Sequence, residues 1–268
     1  MAERCTMASG SVALLPEGIR VACHMRIVSL NVRKRLNTTR EVVEDWLHEW
    51  ACDLFLVQEP WDQRSQPINL RGYKSLGGNS RVHSWLADGL DLPERTFLQR
   101  CWQNITFGRV AFYSVYLPAK SRAGRLTALR GLKREASQAK GKLLVILGDF
   151  NLAPEPDDGI HGEQISKWTV KAERTAFNSL LLDAHLVDMT SRSRAGHTEF
   201  TFQRESRGRQ SAFRCDLALV SDILEPFATV RYDHRVRVAP TAFTDHSSIV
   251  VDVSINSLTG KEGELGIS

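Results

Sequence analysis

Residues 143–151 read Leu-Leu-Val-Ile-Leu-Gly-Asp-Phe-Asn. Five apolar residues in succession, closed by a glycine, predict a strand buried on both faces; a half-exposed strand would alternate apolar and polar. The strand stops at Gly148 and two polar residues follow closely, Asp149 and Asn151. The same grammar recurs along the chain. Apolar strands are predicted at 26–32, 53–58, 109–116, 216–220 and 248–253. Between them lie helical patterns. Val42, Val43, Trp46, Leu47 and Trp50 share one face, with Thr38 and Glu41 spaced as a capping box. Leu126, Leu129 and Leu132 mark a second helix, and Phe177, Leu180, Leu181 and Ala184 a third. Residues 62–104 are broken by Gly72, Gly77, Gly78 and Pro93 into short strands and loops. Doubly buried strands alternating with helices predict one layered α/β domain.

The domain is expected over residues 25–257. Residues 1–24 carry no clear pattern and read as a disordered N-terminal extension; 258–268 read as a flexible tail. At 268 residues, with 25% charged and 42% hydrophobic, the chain is ordinary for a globular protein. No run approaches the roughly 18–20 apolar residues of a membrane span. The five cysteines show no paired spacing and no zinc pattern, and Cys52 and Cys215 beside apolar strands read as buried thiols. This predicts a cytoplasmic chain, expected to be monomeric and away from membranes. The net charge is only +4, but Ala119–Lys142 carries eight Lys/Arg against one Glu, and Ser191–Arg214 six Arg against two Glu. Basic segments on an otherwise acidic body suit a polyanion such as nucleic acid.

Polar residues gather where the strands stop. Asn31 ends the first, Glu59 follows the second, Tyr116 ends the third, and Asp149 and Asn151 follow the fourth. Asp216 opens the next, and Asp245-His246 precede the last. If the strands share a sheet system, these ends converge on one rim. Oxygen ligands without thiolates favour Mg²⁺, or Mn²⁺, over Zn²⁺. An Asp beside an Asn can hold and deprotonate a water, and a His backed by a carboxylate can bind phosphate oxygens. Together they describe phosphoester hydrolysis.

These strings resemble the endonuclease/exonuclease/phosphatase superfamily: Ser29-Leu30-Asn31-Val32, Val57-Gln58-Glu59, Val115-Tyr116-Leu117-Pro118, Gly148-Asp149-Phe150-Asn151, Arg214-Cys215-Asp216 and Thr244-Asp245-His246-Ser247, in family order from Met25 to about Ile255. The resemblance implies a four-layer α/β sandwich, two facing β-sheets flanked by helices. It also implies roles. Glu59 would be the main metal ligand, with Asn31 close by and Asp245 supporting the metal site. Asp149 would activate or orient the attacking water and Asn151 would help place it. Tyr116 would contact the phosphate. His246, held by Asp216, would bind it in the transition state.

The subfamily signals are mixed. Ala172-Glu173-Arg174 and Asn151-Leu152-Ala153-Pro154 look like the exonuclease III branch, whereas Gln58-Glu59-Pro60-Trp61 looks like certain retrotransposon endonucleases. Arg33 stands where the repair branch usually has Asn or Asp, and Ser114 where an Asn is usual. Candidate substrate contacts are Arg33, Trp61, Phe202, Arg204, Arg207 and Arg209, with Arg204, Arg207 and Arg209 expected in a loop just before Asp216, and Phe213 as a further stacking candidate. The expected function is a Mg²⁺-dependent nuclease hydrolysing DNA by direct attack of water. Two other readings stand beside it: a phosphatase or phosphodiesterase acting on a small or lipid phosphate, and an inactive binding protein on the same fold.

Overall fold

A computed structural model describes residues 24–62, 68–162, 164–165, 168–191, 198–206, 208–238 and 242–254. The expected N-terminal extension and C-terminal tail lie outside these, save that regular structure begins one residue early, at His24. In chain order the elements are β1 (His24–Asn31), α1 (Arg40–Trp50), β2 (Leu54–Gln58), β3 (Tyr73–Gly78), β4 (Val82–Ala87), β5 (Arg95–Leu98), β6 (Trp102–Phe107), β7 (Val110–Tyr116), α2 (Arg122–Gln138) and β8 (Leu143–Asp149). Then come β9 (Gly159–His161), β10 (Gln164–Ile165), α3 (Lys171–Asp183), β11 (Leu186–Asp188), β12 (Phe202–Ser206), β13 (Arg209–Phe213), β14 (Asp216–Ser221), β15 (Ala228–Asp233) and β16 (Ser248–Ser254).

Two six-stranded sheets carry the fold, in the orders β15-β16-β1-β2-β4-β3 and β11-β14-β8-β7-β6-β5. Their inner faces meet. Ile27, Leu56, Val251 and Ile249 from the first sheet share one buried cluster with Phe112, Val145, Leu147 and Val220 from the second. Period-two alternation sends the neighbouring residues outward. Val28, Leu30, Phe55 and Val57 pack against Val43, Trp46 and Leu47 of α1. Tyr113, Val115, Ile146 and Leu219 pack against Leu129 and Leu132 of α2 and Phe177 and Leu180 of α3. The central strands have an apolar layer on both faces, which is why their sequences show runs rather than alternation. The result is a helix–sheet–sheet–helix sandwich.

The two sheets are built alike at their centres. β1 and β2 run parallel, joined through α1; β7 and β8 run parallel, joined through α2. The carboxyl ends of all four reach one rim. β14 and β16 run antiparallel to their neighbours, so their amino ends reach the same rim. Across the second sheet Tyr116, Asp149 and Asp216 are register partners in one row. At the opposite rim His24 pairs with Ser254.

Three local expectations are corrected. The capping box does not form: α1 starts at Arg40 behind Thr39, and both threonine hydroxyls donate to the Arg35 carbonyl instead. Arg204 and Arg209 lie in no loop but in paired strands, β12 and β13, which continue into β9 and β10 as a small four-stranded sheet. Two arginines counted as surface charge are buried. Arg125 pairs with Glu173, and Arg214 grips Asp158 through two nitrogens and Asp188 through a third. The thiols of Cys52 and Cys215 are buried, as expected, and so is Cys101. Among the described residues no helix is long and apolar enough to cross a membrane.

Candidate active site

The rim opens into a cleft of about 1190 Å³ between the strand ends and the hairpin. Asn31, Arg33, Glu59, Trp61, Tyr116, Asp149, Asn151, Phe202, Arg204 and His246 line it. Those ten were expected from sequence, and strands that are distant in the chain bring them together.

Asp149 sits at the centre, 1% exposed. Its Oδ2 accepts from Asn31 Nδ2 at 2.8 Å and from Asn151 Nδ2 at 2.9 Å; its Oδ1 accepts from the Asn151 backbone N–H at 2.8 Å. Asn151 also donates to the Leu117 carbonyl. Asn151 has φ +48, a left-handed conformation that Asn tolerates well, and this folds its amide back over Asp149. Gly148 has φ +141, and a Cβ there would lie 2.0 Å from the Val115 carbonyl oxygen, so only glycine lets β8 approach β7 before the turn. Burial and the neighbouring Asp216 charge push the Asp149 carboxyl up to about 7, against the pull of His246 and the N–H donors.

His246 holds Asp216 through Nδ1, at 2.9 and 3.2 Å from the two carboxylate oxygens. Burial works against the imidazolium, yet Asp216 more than compensates and raises His246 to about 9. The imidazole is therefore held protonated at neutral pH. Asp216 lies behind His246 rather than on the cleft wall. Tyr116 donates its hydroxyl to Glu59 Oε1. Burial, then that bond, raises the phenol well above its ordinary value, so it stays protonated. Glu59 takes φ +47, a conformation a non-glycine residue adopts only when its surroundings enforce it. Here the Glu59 N–H donates to Arg81 and its carbonyl accepts from Lys34.

Asp245 sits beside the cleft rather than on its wall. Arg33 ion-pairs its Oδ2, and its Oδ1 is buried with no hydrogen-bond partner among the described residues, 3.9 Å from His246 Nε2. The expected metal donors, Glu59, Asn31 and Asp245, are all oxygen donors. The buried Asp245 oxygen that accepts no hydrogen bond has a lone pair to offer, and such a set fits a hard divalent ion. Among the described residues one group brings three Cys, His, Asp or Glu donors within 4.8 Å of one another: Cys215, Asp216 and His246. Burial holds the Cys215 thiol well above its ordinary value, and Asp216 already holds His246, so this group reads as an ion pair beside a neutral thiol.

The substrate candidates separate. Trp61 shows the cleft only an edge: it is 4% exposed and packs on His83 and Trp85. Phe202 lies 5.0 Å from the His246 ring and pairs across the hairpin with Phe213, which stacks edge-on to Trp168. Arg204 is exposed on the cleft-facing side of β12. Arg209, at the far end of the hairpin, is not among the cleft-lining residues, and Arg207 lies outside the described residues. Sequence reasoning missed Arg81, Lys34 and Trp168 on the wall. It also missed Thr201, whose hydroxyl accepts the N–H groups of Cys215 and Asp216, and Thr244, which donates to the Asn31 carbonyl. A threonine before a motif offers no distinguishing pattern, although Thr244 adjoins Asp245. Ser114 has a use of its own: it accepts from Gln58 Nε2, which also reaches Ser29, and so links the two sheets beneath the cleft.

Two facing sheets with a carboxylate, amide, phenol and imidazole set at one rim define a phosphoester hydrolase. The chain belongs to the Endonuclease/Exonuclease/phosphatase family, whose model matches residues 28–246. Solved structures share the fold. A 3′ phosphatase, NExo from Neisseria, bound to product DNA hairpin, superposes with a TM-score of 0.68 at 23% identity, over 86% of this chain and 99% of that one. An AP endonuclease from Archaeoglobus fulgidus gives 0.67 at 20%, over 86% and 99%. The endonuclease domain of TRAS1, a telomere-specific non-LTR retrotransposon, gives 0.62 at 14%, over 85% and 98%. No curated protein matches in sequence.

Proposed function

We propose that this protein is a divalent-metal-dependent nuclease that hydrolyses phosphodiester bonds in DNA. The observation that carries the chemistry is Asp149, fixed by three N–H donors and facing a cleft that also holds the His246–Asp216 ion pair. Asp149 directs a water at phosphorus and accepts its proton. The new P–O bond forms, the bond to the leaving oxygen breaks, and that oxygen takes a proton from solvent. His246 stabilises the charge that builds on the phosphoryl oxygens, and Asp216 keeps it cationic. Tyr116 stays protonated as a donor to Glu59 or phosphate. Mg²⁺ or Mn²⁺, held by Glu59 and Asp245 with Asn31 beside them, would draw charge from the phosphate.

The charge around the site supports a polymer. Arg33, Lys34, Arg81, Lys120 and Arg204 line the cleft. Arg81 and Lys120 lead on into a second groove with Arg100, Arg130 and Arg134, and among the described residues no acidic one lines it. A small phosphate ester has no use for cations so far from the reacting centre, whereas a DNA backbone does. One of the structural neighbours is described bound to product DNA hairpin, which supports the same reading.

The test is Mg²⁺-dependent cleavage of an end-labelled DNA duplex, with and without one abasic site, beside His246→Ala. Cleavage of either duplex, lost in the variant, is the expected result. Cleavage confined to the abasic site would make it a repair-type endonuclease despite Pro60 and Trp61; cleavage of both would make it a general or retroelement-like nuclease. Folded, metal-bound protein that cuts neither duplex would overturn the DNA assignment.

A further inference from the structure

We propose that Arg33 is a resident counter-charge that occupies Asp245 in the free protein and sets how tightly the cleft takes up a divalent cation. The proposal rests on the reading of Glu59 and Asp245 as metal-facing carboxylates.

Arg33 is rooted in the residues that frame the metal corner. It follows β1 directly, in a left-handed turn with φ +49 at Arg33 and +64 at Lys34. The Arg33 N–H donates to Asn31 Oδ1 at 2.9 Å, and the Lys34 N–H donates to the Glu59 carbonyl. A turn tied down this way leaves the two side chains little choice of direction. Lys34 reaches outward to Asp62, an exposed pair. Arg33 instead reaches across to Asp245, 212 residues away in the chain. Its guanidinium takes one carboxylate oxygen, and the other is buried without a hydrogen bond, 3.9 Å from His246 Nε2.

That arrangement has a direction. Glu59, Asp149 and Asp245 do not form a ready-made group of close donors among the described residues. The carboxylate that could join Glu59 is already paired with the Arg33 guanidinium. A divalent ion must therefore compete for Asp245 with Arg33 and tolerate its positive charge nearby. The buried Asp245 oxygen accepts no hydrogen bond, which gives that ion something to gain. Once released, the Arg33 guanidinium stays at the cleft wall, free to take a phosphate oxygen of the substrate. Metal and substrate then arrive as partners: the phosphate occupies Arg33 and the metal occupies Asp245.

The experiment is Mn²⁺ binding to the full chain, followed by calorimetry and by the electron paramagnetic resonance of free Mn²⁺, with no substrate present. Arg33→Gln is expected to bind Mn²⁺ about tenfold more tightly than the wild type, while Arg33→Lys, which keeps the charge, stays near the wild-type value. In Asp245→Asn the Arg33→Gln gain should vanish. Adding a non-cleavable single-stranded phosphorothioate should tighten Mn²⁺ binding in the wild type more than in Arg33→Gln. Glu59→Gln separates the two layers of the argument. If it weakens Mn²⁺ binding but Arg33→Gln does not strengthen it, the counter-charge proposal falls and the metal-site reading stands. If Glu59→Gln leaves Mn²⁺ binding untouched, the metal lies elsewhere and both fall.

Discussion

Gly148 and His83 show how single positions set limits that composition does not reveal. A methyl group at Gly148 meets the Val115 carbonyl oxygen and would force β8 off β7, so the row Tyr116–Asp149–Asp216 would break with it. Gly148→Ala is expected to cost about 3 kcal/mol or more, read from urea unfolding, with hydrolysis lost alongside. His83 is buried beneath Trp61, with Nε2 on the Ser75 hydroxyl and Nδ1 without a partner among the described residues. Burial lowers it from 6.5 to about 4. The folded state therefore prefers the neutral ring. As the pH falls below 6.5 the unfolded chain takes up a proton that the folded chain refuses until about 4. Stability should decline across that window, by up to about 3 kcal/mol. In His83→Gln that part of the decline should be absent; an unchanged pH profile of the unfolding midpoint would contradict the assignment. The site residues themselves were legible because each adjoins a strand end. The Arg33–Asp245 pair was not, because nothing local links positions 212 residues apart.

Elements repeat the lesson with charge. Arg214 precedes Cys215 and Asp216, and in sequence it adds to a basic stretch. In the fold it is fully buried and joins β13 to the Asp158 turn and to β11. Removing it would strand two buried carboxylates. Arg214→Met is expected to destabilise the protein by ~3–5 kcal/mol, and pairing it with Asp158→Leu and Asp188→Leu should recover part of that loss. The hairpin beside it escaped sequence reading for a related reason. Gln203, Arg204, Glu205, Gln210 and Ser211 leave no apolar alternation. Its anchor is one cross-strand pair, Phe202 on Phe213. Strands buried on two faces announce themselves, whereas a strand that covers a cleft need not.

At the scale of the whole molecule, the basic cleft and the groove beyond it make one electrostatic surface. Each phosphate neutralised contributes about −0.9 to the slope of log affinity against log salt. The double variant Arg130→Ser/Arg134→Ser should flatten the slope for a long duplex by about 1–2, measured by fluorescence anisotropy with Ca²⁺ in place of Mg²⁺. Hydrolysis of a minimal phosphodiester should be unchanged, since neither residue lines the cleft. An unchanged slope would remove the groove from the binding surface. The apolar runs made this two-sheet frame readable from sequence. They said nothing of the groove, because the same arginines on α2 read equally as a solvated helix face.

The pairing of His24 with Ser254 bears on how the molecule can be held. β1 runs from that pair toward the cleft, and β16 runs from the cleft back to it. Both strands thus meet the rest of the chain at the rear, side by side. A surface, label or fused protein joined directly at His24 or Ser254 would grip these strands from behind, with the basic mouth facing outward. Immobilised this way, a layer of the protein would present its clefts in one orientation to whatever long polymer is drawn across it.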